Sequence, residues 1–475
     1  MRTGIGRATI SRVGIAALAV GVLGGSLSLT ACSSGDDNNS SGGGKTITVW
    51  SLENQTDRVQ AAQANADKFT AKSGIKVKIV ATDENQFTQL ITSAAAAGTM
   101  PDVIGALPLA AVWQMAANEL VDTDAAGSVI NDLGAGTFSP RTLELTKDKG
   151  KQLAVPSDAW AQLLVYRKDL FTAAGLPAPD TFDAIRQAAQ RLNSKATAGI
   201  TMATVANDAF TEQSFEYLAL ANNCQLVDGG GNVTLNSPQC VNTFNLYGDL
   251  VKNYSVQGAQ DVDSTRATYF AGKAAMLVWS SFILDEMAGL RNDAKPSCPK
   301  CAADPTFLAK NSGIVTAVKG PDGSEPAGFG ELTSWVITAG GKNTDAAKQY
   351  VKYMMDDGYL DWLGIAPEGK FPARKGTQSA ATKFVDGWKT LPAGVDTKKP
   401  LSDIYPADVL ASLQSSPDTF RRWGITEGQG KLVGATLGEL PVPKAINALA
   451  TGQTDAAGAC KQAADAVKSI QTSLK

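Results

Sequence analysis

Histidine is absent from all 475 residues. Its absence removes Ser-His-Asp and Cys-His nucleophile systems, HExxH metalloprotease sites and the common histidine-bearing zinc sites together. Charge of either sign is sparse at 19% of residues, and 43 basic against 46 acidic side chains leave a net charge of −3. With no basic excess to hold a phosphate backbone, no nucleic-acid partner is expected. No fixed-period repeat runs through the chain, which excludes solenoids and propellers. Hydrophobic residues make up 44% and mean hydropathy is −0.08, values of a soluble globular chain. At roughly 150 residues per domain the length suggests two or three lobes with ample core.

What is present begins with an address. Arg2, Arg7 and Arg12 precede an apolar, small-residue run from Val13 to Leu29, with no acid before Asp36, the pattern of a secretory signal. Leu29-Thr30-Ala31-Cys32 resembles the bacterial lipobox, which implies cleavage before Cys32 and lipid on that cysteine. The alternative is a transmembrane anchor, for which the run carries several Gly and Ser and is marginal in length. Residues 32–45 are a polar tether, Ser33 to Gly44 containing only Ser, Gly, Asn and Asp. Losing residues 1–31 removes three arginines and no acid, taking the net charge from −3 to −6.

Six cysteines occur, and with Cys32 lipidated an odd five remain in an oxidising compartment. Two pairs and a single are expected. Cys224 and Cys240 flank the turn Asp228 to Asn232 between two short strand-like runs and are expected to bridge. Cys298-Pro299-Lys300-Cys301 is a CxxC, but a redox site needs it at a helix start after a strand, and Lys295-Pro296 and Pro299 mark a loop. A zinc site would need a second pair close by. A local structural disulfide is expected there, with Cys460 a buried free thiol in an Ala-rich terminal helix.

Thr46 to Trp50 is a β-branched run that opens a sheet. Val59, Ala62, Ala66 and Phe69 recur at helical spacing up to Gly74; Ile75, Val77 and Ile79 then alternate with lysines as a strand. Gln86 to Ala97 reads as a helix ending at Gly98, and Asp102 to Ala106 as a third strand. This order implies an α/β fold with a parallel sheet, whose ligands sit beyond the carboxyl ends of the strands. Further helices are expected after caps at Asp180-Thr181 and at Thr344.

Several segments together resemble the family 1 extracellular solute-binding proteins, the sugar-binding receptors of ABC importers. They are Ile47 to Trp50, Lys68-Phe69 with Ser73 to Val77, Pro101 to Ile104, Val165 to Phe171, Phe270 to Met276, Trp335 to Thr338 and Ala347 to Met354. The resemblance implies a two-lobed periplasmic-binding-protein-like fold with a hinge and an interlobe cleft. On that reading residues 46–157 and 322–372 form the N-lobe, and 158–321 and 373–475 the C-lobe. It also implies a carbohydrate ligand, permease subunits as partners, a monomer, a lipid-anchored extracytoplasmic location, no enzymatic activity, no cofactor and no metal.

A sugar presents hydroxyls all round and apolar C–H faces, so its site needs aromatic rings and polar side chains. Trp160 and Trp279, the latter followed by Ser280, fall in the segments where the family carries ligand contacts. Polar candidates are Glu53, Asn54, Gln55, Asn85 and Asp158. The resemblance implies three chain crossings between the lobes, near Ala154 to Ala159, Pro321 to Gly328 and Lys370 to Lys375; Gly330-Glu331-Leu332 enters a strand after the second, Arg374 lies where the chain re-enters the second lobe, and Arg421 is a C-terminal candidate. Gly364 to Lys370 resembles the start of a P-loop but is followed by Phe371 where Ser or Thr must reach magnesium. The other reading is a secreted glycosidase using two cleft carboxylates.

Overall fold

The computed structural model describes residues 45–474. The expected signal segment, Cys32 and nearly all of the tether lie outside them. The first strand, β1 (Thr46–Ser51), turns Ile47 and Val49 into the core and leaves Thr48 and Trp50 half-buried. Helix α1 (Thr56–Ser73) buries Ala62, Ala66 and Phe69 and stops at Gly74, whose φ of 74° is open to glycine at little cost. Next come β2 (Lys76–Ala81), α2 (Phe87–Ala97, closed by Gly98), β3 (Val103–Pro108) and α3 (Leu109–Ala117). Strands β2 and β3 both pair parallel to β1, one on each side, as the strand-helix alternation predicts.

Strand β4 (Val155–Arg167) is the longest, and four later strands pair with it: β5 (Met276–Ser280), β6 (Ser312–Val315), β7 (Gly330–Ile337) and β8 (Phe371–Pro372). Its first half lies between β7 and β8, its second between β5 and β6, all antiparallel. The spatial order β8-β4-β7-β3-β1-β2 makes one lobe, and β5 and β6 carry the same strand into the other. The pairing partners of β4 change over between Ala161, opposite Gly330, and Gln162, opposite Ser280.

Helices α4 (Ala209–Ala221) and α5 (Pro238–Asn253) pack on each other. Helix α6 (Ile283–Met287) follows β5. Near the C-terminus, α7 (Gly430–Thr436) packs on α3, while α8 (Pro441–Ala450) and α9 (Ala456–Ser473) pack on each other and on α5. Disulfides join Cys224 to Cys240 and Cys298 to Cys301, and Cys460 is free and buried on α9. Burial pushes its thiol up to about 12.

Two local expectations are corrected. The runs flanking Asp228 to Asn232 form a single bridge, Val227 to Val233, instead of strands, because Ser237 caps α5 and draws Cys240 into its first turn. The helix at Thr344 starts there, but Asn343 occupies the cap position and no side chain closes it. Thr181 does cap its helix, accepting the Ala184 N–H. No helix among the described residues is long and apolar enough to cross a membrane.

Candidate functional site

The carboxyl ends of β1, β2 and β3 open toward β4 and α4, and charged side chains gather there. Glu53, two residues past β1, pairs with Lys370 at 2.5 Å and Arg58 at 2.7 Å. Burial opposes its ionisation, but Lys370 and Arg58 outweigh that and hold the carboxyl down at about 2. Asp158 is buried on β4 and accepts from Ser157 Oγ and Trp362 Nε1 at 2.6 Å and from Thr333 Oγ1 at 2.8 Å, with Lys370 Nζ at 3.3 Å. Lys370 is therefore committed to two carboxylates, and the segment that resembles a P-loop start holds no free lysine for a phosphate.

Strand alternation sorts the two tryptophans. Gln162 faces Ser280 and Leu163 faces Trp279 across the ladder, so Ser280 shares the face of Gln162 and Trp160, and Trp279 takes the opposite one. Trp279 is 4% exposed, donates from Nε1 to the Val262 carbonyl at 3.0 Å, and packs on Phe210. Trp160 is half-buried, with its ring centroid 5.8 Å from Phe329 and 6.5 Å from the half-buried Phe282, making an aromatic wall. Neither Phe was singled out from the sequence; the position of Phe282 two residues past Ser280 was the available signal.

Glu331, the partner of Trp160 across the β4–β7 ladder and so on its face, is buried at the start of β7. Its Oε1 accepts the Leu109 N–H of α3 at 3.0 Å and Arg422 Nη1 at 2.8 Å. Arg422 also donates to Glu216 of α4 at 3.2 Å, so one guanidinium ties β7 to α4. Burial opposes its charge, but Glu216 and Glu331 raise its pKa and keep it protonated. One turn earlier on α4, Glu212 is pushed up to about 7 by burial and by repulsion from Glu216, with Arg422 opposing, and its Oε2 has no hydrogen-bond partner. Glu84, past β2, is exposed. Desolvation, then Glu331, Glu53, Asp83 and Asp208, push its carboxyl up to about 7. The acid pair at i and i+4 of α4, with Glu216 inside the otherwise apolar run Phe215 to Ala221 and Glu212 just before it, was the signal the sequence carried for them.

The remaining candidates scatter. Asn54 is exposed, and Gln55 Oε1 accepts from Arg291 at 3.4 Å. Asn85 lies in the short turn Glu84–Gln86. Gly330 packs against Phe420 and Leu332 is in the core. Arg374 is 2% exposed and donates to the Met355 and Leu133 carbonyls at 2.6 and 2.9 Å, on the far side of β8 from the aromatic wall. Burial lowers its pKa. Arg421 pairs with Glu325 at the surface. A surface depression of about 530 Å³ between Pro140 and Gly150 and Ile425 to Gly428 contains none of the cleft's carboxyls or rings. Among the described residues no group of three or more Cys, Asp or Glu has metal-holding geometry.

This arrangement offers aromatic faces beside carboxyls able to accept or donate hydrogen bonds, enclosed between two lobes. The model of the bacterial extracellular solute-binding protein family matches residues 53–360. YcjN of Escherichia coli K12, named as an ABC transporter periplasmic-binding protein, is 31% identical over 335 residues, 68% of this chain and 73% of that protein. The diacetylchitobiose binding protein DasA of Streptomyces coelicolor is 25% identical, over 76% of this chain and 82% of its own. Among solved structures, the GacH receptor of Streptomyces glaucescens superposes with a TM-score of 0.69 at 19% identity, covering 90% of this chain and 98% of its own. Maltose-bound MalE3 of T. maritima gives 0.68 at 18%, covering 89% and 99%. By sequence and by its two-lobed fold, the chain belongs to the bacterial extracellular solute-binding protein family.

Proposed function

We propose that this chain is a lipid-anchored extracytoplasmic receptor that captures a carbohydrate in the interlobe cleft and delivers it, as a monomer, to the permease of an ABC importer. The observation that carries the reading is an aromatic wall, Trp160, Phe282 and Phe329, set beside Glu331, which pairs with Trp160 across the ladder, and Arg422, which lies 4.7 Å over the Phe329 ring. A sugar ring stacks on the first set and exchanges hydroxyl hydrogen bonds with the second. Proteins of similar fold support it, since MalE3 holds maltose, GacH acarbose and an Arthrobacter transporter protein laminaribiose. The lobes are assigned as residues 46–157 with 322–372, and 158–321 with 373–475, with α7 of the second reaching across to α3. Glu53, Asn54, Gln55, Asn85 and Ser280 line the approach, and Cys32 carries the lipid.

A calorimetric screen of mono-, di- and oligosaccharides tests this reading. One class is expected to bind saturably and to be recovered unchanged after long incubation. Absence of binding across the screen overturns it, and cleavage of the bound sugar establishes a glycosidase instead. In the producing cell, Cys32→Ala is expected to abolish lipid labelling and leave the precursor uncleaved.

A further inference from the structure

Where the lobes meet beside the crossing, three carboxyls are buried together: Asp285 at 1%, Glu368 at 2% and Glu286 at 6% exposure. Asp285 and Glu286 lie on α6, and Glu368 lies on the turn Pro367–Gly369. That turn packs directly on α6's N-cap, since a Cβ on Gly369 would stand 2.1 Å from the Phe282 ring. Asp285 Oδ1, Glu286 Oε2 and Glu368 Oε2 have no donor among the described residues.

Three arginines border the cluster, and each already has an acid outside it. Arg58, reaching from α1 of the first lobe, donates to Glu53 at 2.7 Å and lies 5.0 Å over the Phe282 ring. Arg291 forms a double bond pair with Asp293 at 3.1 and 2.9 Å and also reaches Gln55 at 3.4 Å. Arg266 pairs with Asp263 at 2.7 Å and with Glu286 at 2.9 Å. Of the cations nearby, Lys370 is matched by Glu53 and Asp158. Tyr405, packed on the same carboxyls, donates its hydroxyl to the Leu284 carbonyl and offers them no proton. Only Glu286 has a cation inside the cluster, so Asp285 and Glu368 face each other's field in a dry site without one of their own. Two such carboxylates cannot both stay ionised.

We propose that the buried carboxyls Asp285 and Glu368 keep at least one proton between them while the lobes are together, so that closing the cleft takes up a proton and raising the pH opens it. Desolvation supports this, pushing Asp285 up to about 6 against Arg291 and Arg58, and Glu368 well above the usual carboxylate range; it also pushes the neighbouring Glu286 up to about 8 against Arg266. When the lobes separate, water reaches both groups, their pKa values fall toward the ordinary range, and the proton leaves. The inference rests on the two-lobed reading and is independent of which solute is bound.

Small-angle X-ray scattering of the sugar-free mature chain tests it at about pH 5 and about pH 9, on either side of the raised range. The wild type is expected to show a larger radius of gyration at the higher pH. Glu368→Gln and Asp285→Asn, each of which supplies a permanent neutral donor, are expected to stay compact at both, with circular dichroism showing each is folded. A wild-type radius unchanged between the two pH values overturns the proposal. So does a folded variant that keeps the wild-type pH dependence, which would trace the effect to other carboxyls such as Glu286, Glu84 or Glu212. Because no sugar is present, failure here leaves carbohydrate capture standing, and failure of the sugar screen leaves this result standing.

Discussion

At the scale of single residues, the two tryptophans separate binding from stability. Trp160→Ala removes the centre of the aromatic wall, and a desolvated aromatic anchor is worth about 2 kcal/mol, or roughly thirtyfold in affinity. Calorimetry with the sugar found in the screen should show that loss while the denaturation midpoint moves little. Trp279→Ala empties a packed site on the opposite face and should cost roughly 3 to 5 kcal/mol of stability, read by urea titration. If truncating Trp279 instead lowers affinity in a protein of unchanged stability, its side chain reaches the solute. Glu212 makes a pH prediction. Its folded-state pKa of about 7 lies above the ordinary 4.5, so between those values the folded chain binds more protons than the unfolded one. Stability from this group is fully present below the lower value and is lost as pH rises to the upper. The loss is about 3 kcal/mol at most. Urea titrations from pH 5 to 8 should therefore fall less steeply for Glu212→Gln than for the wild type.

At the scale of elements, the parallel strands were legible because alternation and glycine stops are local signals: Ile47 and Val49, then Gly74 and Gly98, mark β1, α1 and α2 within a few residues. Strand β4 was not legible as one strand. It is buried on both faces, so no alternation marks it, and Pro156 and Asp158 interrupt it at a register shift. The site was legible in part for the same reason. Glu53 follows a strand end that the pattern reveals, and Asp158 and Trp160, inside β4, were reached through the family resemblance, whereas Arg422 and Glu216 meet only because α4 and the C-terminal segment, some 200 residues apart, fold together. Gly330 shows how tightly β7 is set: a Cβ there would stand 2.4 Å from the Phe420 ring. Gly330→Ala should overpack this contact and destabilise by about 1 to 3 kcal/mol in chemical denaturation. The Cys224–Cys240 bridge closes a loop with a separation of 16 residues, for which chain entropy gives about 3 kcal/mol. Peptide mapping of unreduced protein should recover it and the Cys298–Cys301 link, with Cys460 alkylated only after unfolding.

At the scale of the whole molecule, two lobes enclose a cleft whose walls come from distant parts of the chain. The first lobe takes its sheet from β1 to β3 and recruits β7 from more than 200 residues later, and the C-terminal helices return to brace α5 and α3. Strand β4 has a further consequence. It gives its first seven residues to the ladder of one lobe and its last six to the ladder of the other. Melting either lobe frees half of β4 and strips its amides of partners, so neither half of the sheet has an independent thermal life. Differential scanning calorimetry should accordingly record one endotherm whose van't Hoff and calorimetric enthalpies agree, where separately folded lobes would give two.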